Sequence, residues 1–353
     1  MKKIITGALA LFLAAGLSAY NPPAGGQNMY VLSSPLQLTS ASSAAGGAIF
    51  YPGPYSAAFN PALPALEQRI TLDAGFSVLA ANNFNSALQT GILIPTKRFV
   101  ASGMLQGVFL NSDKIDLDNS INLKMGLSKE IAARISVGFN VTGGVIWGSD
   151  SDWLLNGDIG ALYRRESLGF MKDFRVGVSV LNLGKTFTDK KLIGIKDKDK
   201  DILAYKHSVD SFPNFATVRA GAAALFVDNG IIKLGPSLDI TTTAFQNVIF
   251  DAGFQFGIKD IVFLYVSESI DLSEAIAGYS NFMPAIGLGV KFDFKTKNNE
   301  YLKKHSWDAS EMLVAAAWQQ RYDSIQAVSA GAVIKLGQQD TDPPVITIWD
   351  GEE

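Results

Sequence analysis

The sequence predicts an all-β fold: a 14-stranded antiparallel transmembrane β-barrel with an N-terminal hatch in its lumen. Three observations predict it. Hydrophobic residues make up 48% of the 353 residues and charged residues only 18%, yet beyond residue 19 no uninterrupted apolar stretch is long enough for a membrane-spanning helix. From Gln68 onward the dominant period is two, the period of a strand with one apolar and one polar face. The period-two segments number fourteen, an even count, and several suit a tilted span of roughly 9–11 residues. A closed barrel satisfies every backbone group between strands and leaves no edge in lipid.

The elements follow in chain order. Residues 1–19 read as a secretory signal, with Lys2 and Lys3 as its positive end, Ile4 to Leu13 as its apolar run and Leu17-Ser18-Ala19 as the cleavage site. Residues 20–66 are rich in Gly, Ala, Ser and Pro and lack a period. Phe50, Tyr51, Tyr55, Phe59 and Leu63 are too apolar for a free linker, which predicts a plug folded into the lumen. Residues 67–337 form the barrel, with strands predicted at 68–80, 84–94, 98–110, 119–128, 131–147, 152–164, 173–184, 214–227, 230–244, 247–259, 260–270, 281–295, 309–323 and 325–336. In the fifth, Ile135, Val137, Phe139 and Val141 alternate with Ser136, Gly138, Asn140 and Thr142; in the twelfth, Ile286, Leu288, Val290, Phe292 and Phe294 alternate with Gly287, Gly289, Lys291 and Asp293.

Connections after strands 2, 4, 8 and 10 are tight, at Pro95-Thr96-Lys97, Ser128-Lys129-Glu130, Asp228-Asn229-Gly230 and Lys259-Asp260, whereas 185–213 is long and polar. Short periplasmic turns opposite long outer loops place both ends of the barrel on the periplasmic side, although the long 296–308 and the tight 245–246 connections break that rule. Trp147 and Trp153 on one rim, and Tyr163, Phe174, Phe292 and Phe294 on the other, read as aromatic girdles. Residues 338–353, with Asp342-Pro343-Pro344, read as a periplasmic tail.

Several functions find no support. A net charge of −3 gives no basic field for nucleic acid, and the absence of cysteine removes disulfides and thiolate metal sites. The run Lys196 to Asp201 alternates Asp like a calcium loop, but Ile202 and Ser208 stand where Gly and Glu are required, so it reads as a solvated loop. The two histidines, His207 and His305, fall in connections, and there is no Gly-x-Ser-x-Gly elbow. Neither catalytic residues, a metal nor a cofactor is expected.

The informative charges lie on the polar faces of strands. Asp73, Arg134, Arg175, Arg219, Asp239 and Asp251, with Lys124, Asp158 and Lys233, are expected to face the lumen and to pair with one another or with the hatch, because an unpaired buried charge is costly.

At the junction of hatch and barrel the residues become more specific. Ala57-Ala58-Phe59-Asn60-Pro61-Ala62-Leu63, followed by Ile70-Thr71-Leu72-Asp73-Ala74-Gly75-Phe76, resembles the FadL-like family of long-chain fatty-acid outer-membrane transporters, whose hatch carries an Asn-Pro-Ala element ahead of a fourteen-stranded barrel. The composition is similar to that of a spirochaetal branch of that family. The resemblance covers residues 1 to about 337. It implies passive uptake of long-chain fatty acids or other hydrophobic small molecules, sideways release into the bilayer, outer-membrane lipid and the barrel assembly machinery as partners, and a hatch built on Phe50, Tyr51, Phe59, Asn60, Pro61 and Ala62. It also implies a lateral exit in the third strand, at Gly103 and Gly107, where interior glycines suit a bulge or close approach. Leu192, Ile193, Ile195, Ile202, Leu203 and Tyr205 in the long outer loop are the expected apolar contacts for ligand. Two features depart from the family. The loop after strand 5 is only Gly148 to Asp152, and the last strand runs on into a tail rather than ending on an aromatic residue. Both suit a second reading, a barrel that anchors or scaffolds surface proteins for secretion, attachment or adhesion without transport.

Overall fold

Alternating side chains build a closed wall. The computed structural model describes residues 29–39, 43–81, 83–109, 119–148, 151–185, 216–243, 247–277, 282–295, 300, 304, 309–321 and 325–337. The strands are β1 (Ile70–Ala81), β2 (Asn83–Pro95), β3 (Val100–Phe109), β4 (Asn119–Ala132), β5 (Ile135–Trp147), β6 (Ser151–Leu168), β7 (Met171–Lys185), β8 (Thr217–Leu225), β9 (Val227–Asp228), β10 (Ile232–Thr243), β11 (Asn247–Ile258), β12 (Val262–Asp271), β13 (Phe282–Lys295), β14 (Ala309–Arg321) and β15 (Ile325–Leu336). Each pairs antiparallel with its sequence neighbours, except that β8 and β9 both pair with β10, and β1 closes the ring on β15 from Ile70↔Leu336 to Ala80↔Gln326. The two-residue β9 continues β8 past Phe226, so the wall has fourteen staves. It is an all-β, 14-stranded closed antiparallel barrel.

The pleat sends one face of each stave inward. On β1, Thr71, Asp73 and Ser77 are buried while Leu72 and Phe76 are exposed; on β5, Ser136, Asn140 and Thr142 are buried while Ile135, Phe139 and Val141 are exposed. Trp147 and Trp153 are exposed at one rim, and Tyr163, Phe292 and Phe294 at the other. An outward face this apolar, flanked by aromatics around a polar interior, is that of a barrel in lipid, and it places the protein in an outer membrane.

Several boundaries correct the sequence reading. β4 runs on to Ala132, and the chain turns at Ala133-Arg134 rather than at Ser128–Glu130. Arg134 is therefore not a luminal charge. It sits exposed in the turn at φ 78°, with its amide donating to Glu130 and its carbonyl accepting from the Arg164 amide. Alternation carried the sequence reading one pair too far, because a tight turn keeps the register of the strand that follows it. Lys233 likewise lies at the rim, paired with Asp260 at 2.7 Å. Lys259 and Asp260 have φ of 52° and 54°, the left-handed pair that a two-residue hairpin with the right twist requires.

Register shifts interrupt the ladders at three places: Glu130/Ala132 beside the β4–β5 turn, Gly157/Ile159 between β6 and β7, and Lys172/Arg175 between β7 and β8. β3 pairs without a shift on both sides.

The lumen holds the hatch. Its described part consists of 3-10 turns at Met29–Ser33, Pro54–Ala58 and Leu63–Leu66 and one helical turn at Pro35–Thr39. Its core packs Leu36, Tyr55, Phe59 and Leu63 against inward apolar side chains of the wall, notably Leu162, Phe263, Tyr265, Leu313 and Val333. Burying each large apolar side chain there is worth roughly 1.5–3 kcal/mol.

Candidate functional site: a hatch seated on the barrel wall

The Asn60-Pro61-Ala62 element lies on a patch of wall that has no side chains. Gly138 on β5 stands opposite Gly160 on β6, and Gly177 on β7 is opposite Leu162, the next inward position beyond Gly160. A Cβ on Gly138 would lie 1.9 Å from the Pro61 carbonyl oxygen, on Gly160 2.1 Å from Asn60 Oδ1, and on Gly177 2.0 Å from the Ala44 carbonyl oxygen. Close approach of two backbones requires glycine here. Asn60 is fully buried and fixes the contact: its Nδ2 donates to the carbonyls of Ala44 (2.9 Å) and Ala161 (3.0 Å), and its Oδ1 accepts from the Ala62 amide (2.9 Å).

Buried charges lock the rest of the hatch. The Arg175 guanidinium donates to the carbonyls of Ala45, Gly47 and Ala48 at 2.7–3.1 Å and lies over the Phe50 ring. Asp73 accepts from the Tyr55 amide (2.7 Å) and from Gln89 (3.0 Å). Asp239 accepts from the Ala44 amide at 3.0 Å and from Arg219 at 2.8 Å, and Arg219 also lies over Phe59 and 3.9 Å from Asp251, which accepts from Ser269. Lys124 pairs with Asp158, which also takes the Asn182 amide (2.7 Å) in the β6–β7 register shift. Asn140 reaches from Asp158 to the Ala57 carbonyl (2.9 Å) and so ties this pair to the hatch.

At the other end, the hatch enters β1 through a second network. Arg69 pairs with Glu67 (3.1 Å) and Glu311 (2.7 Å); Lys335 pairs with Glu67 (2.7 Å) and lies over the Tyr51 ring. Burial alone would lower the Arg69 pKa, but Glu67 and Glu311 offset it and hold the guanidinium above its ordinary value. Burial pushes the Tyr55 phenol well above its usual range, so it stays a donor, to the Tyr51 carbonyl at 2.7 Å.

The sequence-predicted residues thus divide. Phe50, Tyr51, Phe59, Asn60, Pro61 and Ala62 meet the wall, and Asp73, Arg175, Arg219, Asp239 and Asp251 face them from it. Gly103 and Gly107 share the outward register of β3, where a Cβ would meet Ile92 at 3.6 Å and the Phe109 ring at 3.0 Å. The loop residues Leu192, Ile193, Ile195, Ile202, Leu203 and Tyr205, both histidines, residues 1–19 and the tail lie outside the described residues. Missed from sequence were the glycine seat and the Glu67, Glu311, Lys335 network. The seat leaves a signal, glycine recurring at polar-face positions of adjacent strands, whereas the network unites residues from opposite ends of the chain.

A closed fourteen-stave barrel, apolar outside and stoppered by its own N-terminal segment, defines an outer-membrane β-barrel protein of the plugged kind. Its fold is shared with channels for hydrophobic molecules. The CymD monoaromatic hydrocarbon channel matches with a TM-score of 0.52 at 11% identity, over 88% of this chain and 100% of that one. The Ralstonia pickettii toluene transporter TbuX matches with 0.51 at 11%, over 86% and 98%, and the Pseudomonas putida toluene transporter TodX with 0.50 at 10%, over 84% and 96%. No protein-family model and no curated protein matches the chain.

Proposed function

We propose that this barrel is a passive outer-membrane channel for hydrophobic small molecules. The observation that carries it is a hatch lodged in the lumen and held by buried charged side chains, in a fold shared over 84–88% of the chain with channels named for toluene and monoaromatic hydrocarbons. A stoppered barrel does not serve as an open pore for ions and sugars, whereas an apolar solute hindered by a polar outer layer can be passed through a protein-lined route. The resemblance at Asn60-Pro61-Ala62 supports the FadL-like branch of such channels and long-chain fatty acids as cargo, and the composition alone suggests a spirochaetal member; the fold neighbours support aromatic hydrocarbons. Capture by the apolar residues of 192–205 and sideways release near Gly103 and Gly107 belong to the same proposal. Because β3 is paired along its length on both sides, release there requires that β3 part from a neighbour.

Uptake of labelled oleate and toluene by cells carrying the chain, against an empty-vector strain, tests the reading. Uptake of either above the control is expected; rates no higher than the empty-vector strain for both solutes would remove transport. The anchoring alternative is favoured by one observation. Charged wall side chains grip the hatch backbone, Arg175 at Ala45, Gly47 and Ala48, Asp73 at Tyr55 and Asp239 at Ala44, and among the described residues a gap between hatch and wall bounded by Leu36, Ile49, Tyr55, Gln255 and Tyr265 has room for about one water.

A further inference from the structure

Among the described residues, buried polar atoms without a partner occur singly at Tyr51, Asp73, Ser128, Lys129, Ser237 and Thr241, whereas four of them fall on Asn122, Thr142 and Asn156 of adjacent strands β4, β5 and β6. Asn122, Thr142 and Asn156 are 2%, 1% and 3% exposed. Among the described residues, Asn122 Oδ1, Thr142 Oγ1 and both amide atoms of Asn156 make no hydrogen bond. The register sets Thr142 between the other two, directly beside Asn156 and diagonal to Asn122. Thr142 stands opposite Asn156 on one side and Lys124 on the other, and Asn122 stands opposite Gly144. A Cβ on Gly144 would lie 3.0 Å from the Asn122 side chain and 3.2 Å from that of Leu154, so the glycine keeps the two side chains close together.

The surroundings define what fits. On the hatch side lies the Lys124–Asp158 pair, whose charges already satisfy each other. On the other side Ile146 and Leu154 form a small apolar cluster of their own, apart from the hatch core. A buried amide or hydroxyl left unpaired carries a desolvation cost, so adjacent examples call for a group that completes them. Asn122 offers an acceptor, and Asn156 and Thr142 offer donors and acceptors both; a hydroxyl, itself donor and acceptor, complements that set. With no uncompensated charge beside them, they do not suit an ionic head.

We propose that Asn122, Thr142 and Asn156 form a luminal binding site for the hydroxyl head of a small amphiphile, an alcohol or phenol, whose apolar body lies against Ile146 and Leu154. The inference rests on the transport reading above and narrows its ligand, from hydrocarbon in general to hydrocarbon with a hydroxyl.

The test titrates 4-fluorophenol and 4-fluorotoluene, which differ by hydroxyl against methyl, into the full chain in nanodiscs. Binding is read by 19F NMR with empty nanodiscs as the blank. The phenol is expected to bind at least about tenfold more tightly, the effect of one or two net hydrogen bonds. Asn156→Leu should bring the two ligands within about twofold, and Thr142→Val, nearly isosteric, reads the same effect should the first variant not fold. Equal affinities in the wild type would mean that water completes the three side chains, and would overturn the site while leaving transport standing. A phenol preference that survives both substitutions, or no binding of either ligand, would overturn it as well. Binding of the phenol as expected, without uptake of any hydrophobic solute by cells, would keep the site and remove the transport reading.

Discussion

At Gly138 the added methyl of an alanine would stand 1.9 Å from the Pro61 carbonyl, a backbone atom that can retreat only if the hatch lifts, whereas at Gly143 it would meet nothing within 4 Å. Gly138→Ala is therefore expected to cost stability at the upper end of the 1–3 kcal/mol of an overpacked core, and Gly143→Ala less than about 0.5 kcal/mol. The urea midpoint of the heat-modifiable band on gels measures both, and equal midpoints would mean that the hatch is not seated on β5. Arg175 makes a second residue-scale case. Its planar fork serves three carbonyls at once, a geometry that a single ammonium cannot reproduce. Arg175→Lys should loosen residues 44–50 and make them a site of limited proteolysis in the folded barrel, while leaving the heat-modifiable shift intact. Resistance equal to wild type would show that hatch packing alone holds that segment.

At the scale of the strand, the outward face is set by lipid and the inward face by the hatch. Val141, outward near the middle of β5, is exposed, so Val141→Arg should cost about 2–4 kcal/mol at the bilayer midplane and Val141→Leu less than about 1 kcal/mol, read from unfolding in lipid vesicles. Equal tolerance of both would place that face in water. Ser136→Arg, on the inward face of the same strand, is also expected to be costly, because Ser136 is buried on the luminal side.

This marks where the sequence was legible. Alternation gave the staves and the facing of β1, β5 and β13, because one face must meet lipid along its whole length. It did not show that luminal positions such as Phe263, Tyr265 and Leu313 are apolar to match Tyr55 and Phe59, because two apolar faces on one strand blur the period. Arg134 was misplaced for a related reason: alternation does not mark where a strand turns. The hatch motif was legible at Asn60, while its seat was spread over three strands whose pairing only the fold reveals.

For the molecule as a whole, closure and stoppering have to be considered together. Ladders run from β10 through β15 to β5 with a shift only at the β4–β5 turn, and the remaining shifts gather on β7, where Asp158 caps the interruption from inside and Arg175 grips the hatch a few residues away. Hatch and wall are thus joined where the wall is least regular, and loosening one is expected to loosen the other. The central claim is that the hatch occupies the lumen of a barrel spanning the membrane. The measurement that tests it most directly is ion conductance of the purified full chain in planar bilayers. Insertion without steady conductance in wild type, and steady open-channel current in a variant carrying both Gly138→Leu and Arg175→Ala, is the predicted result. A wild-type barrel that conducts continuously, with that variant unchanged from it, would contradict the account.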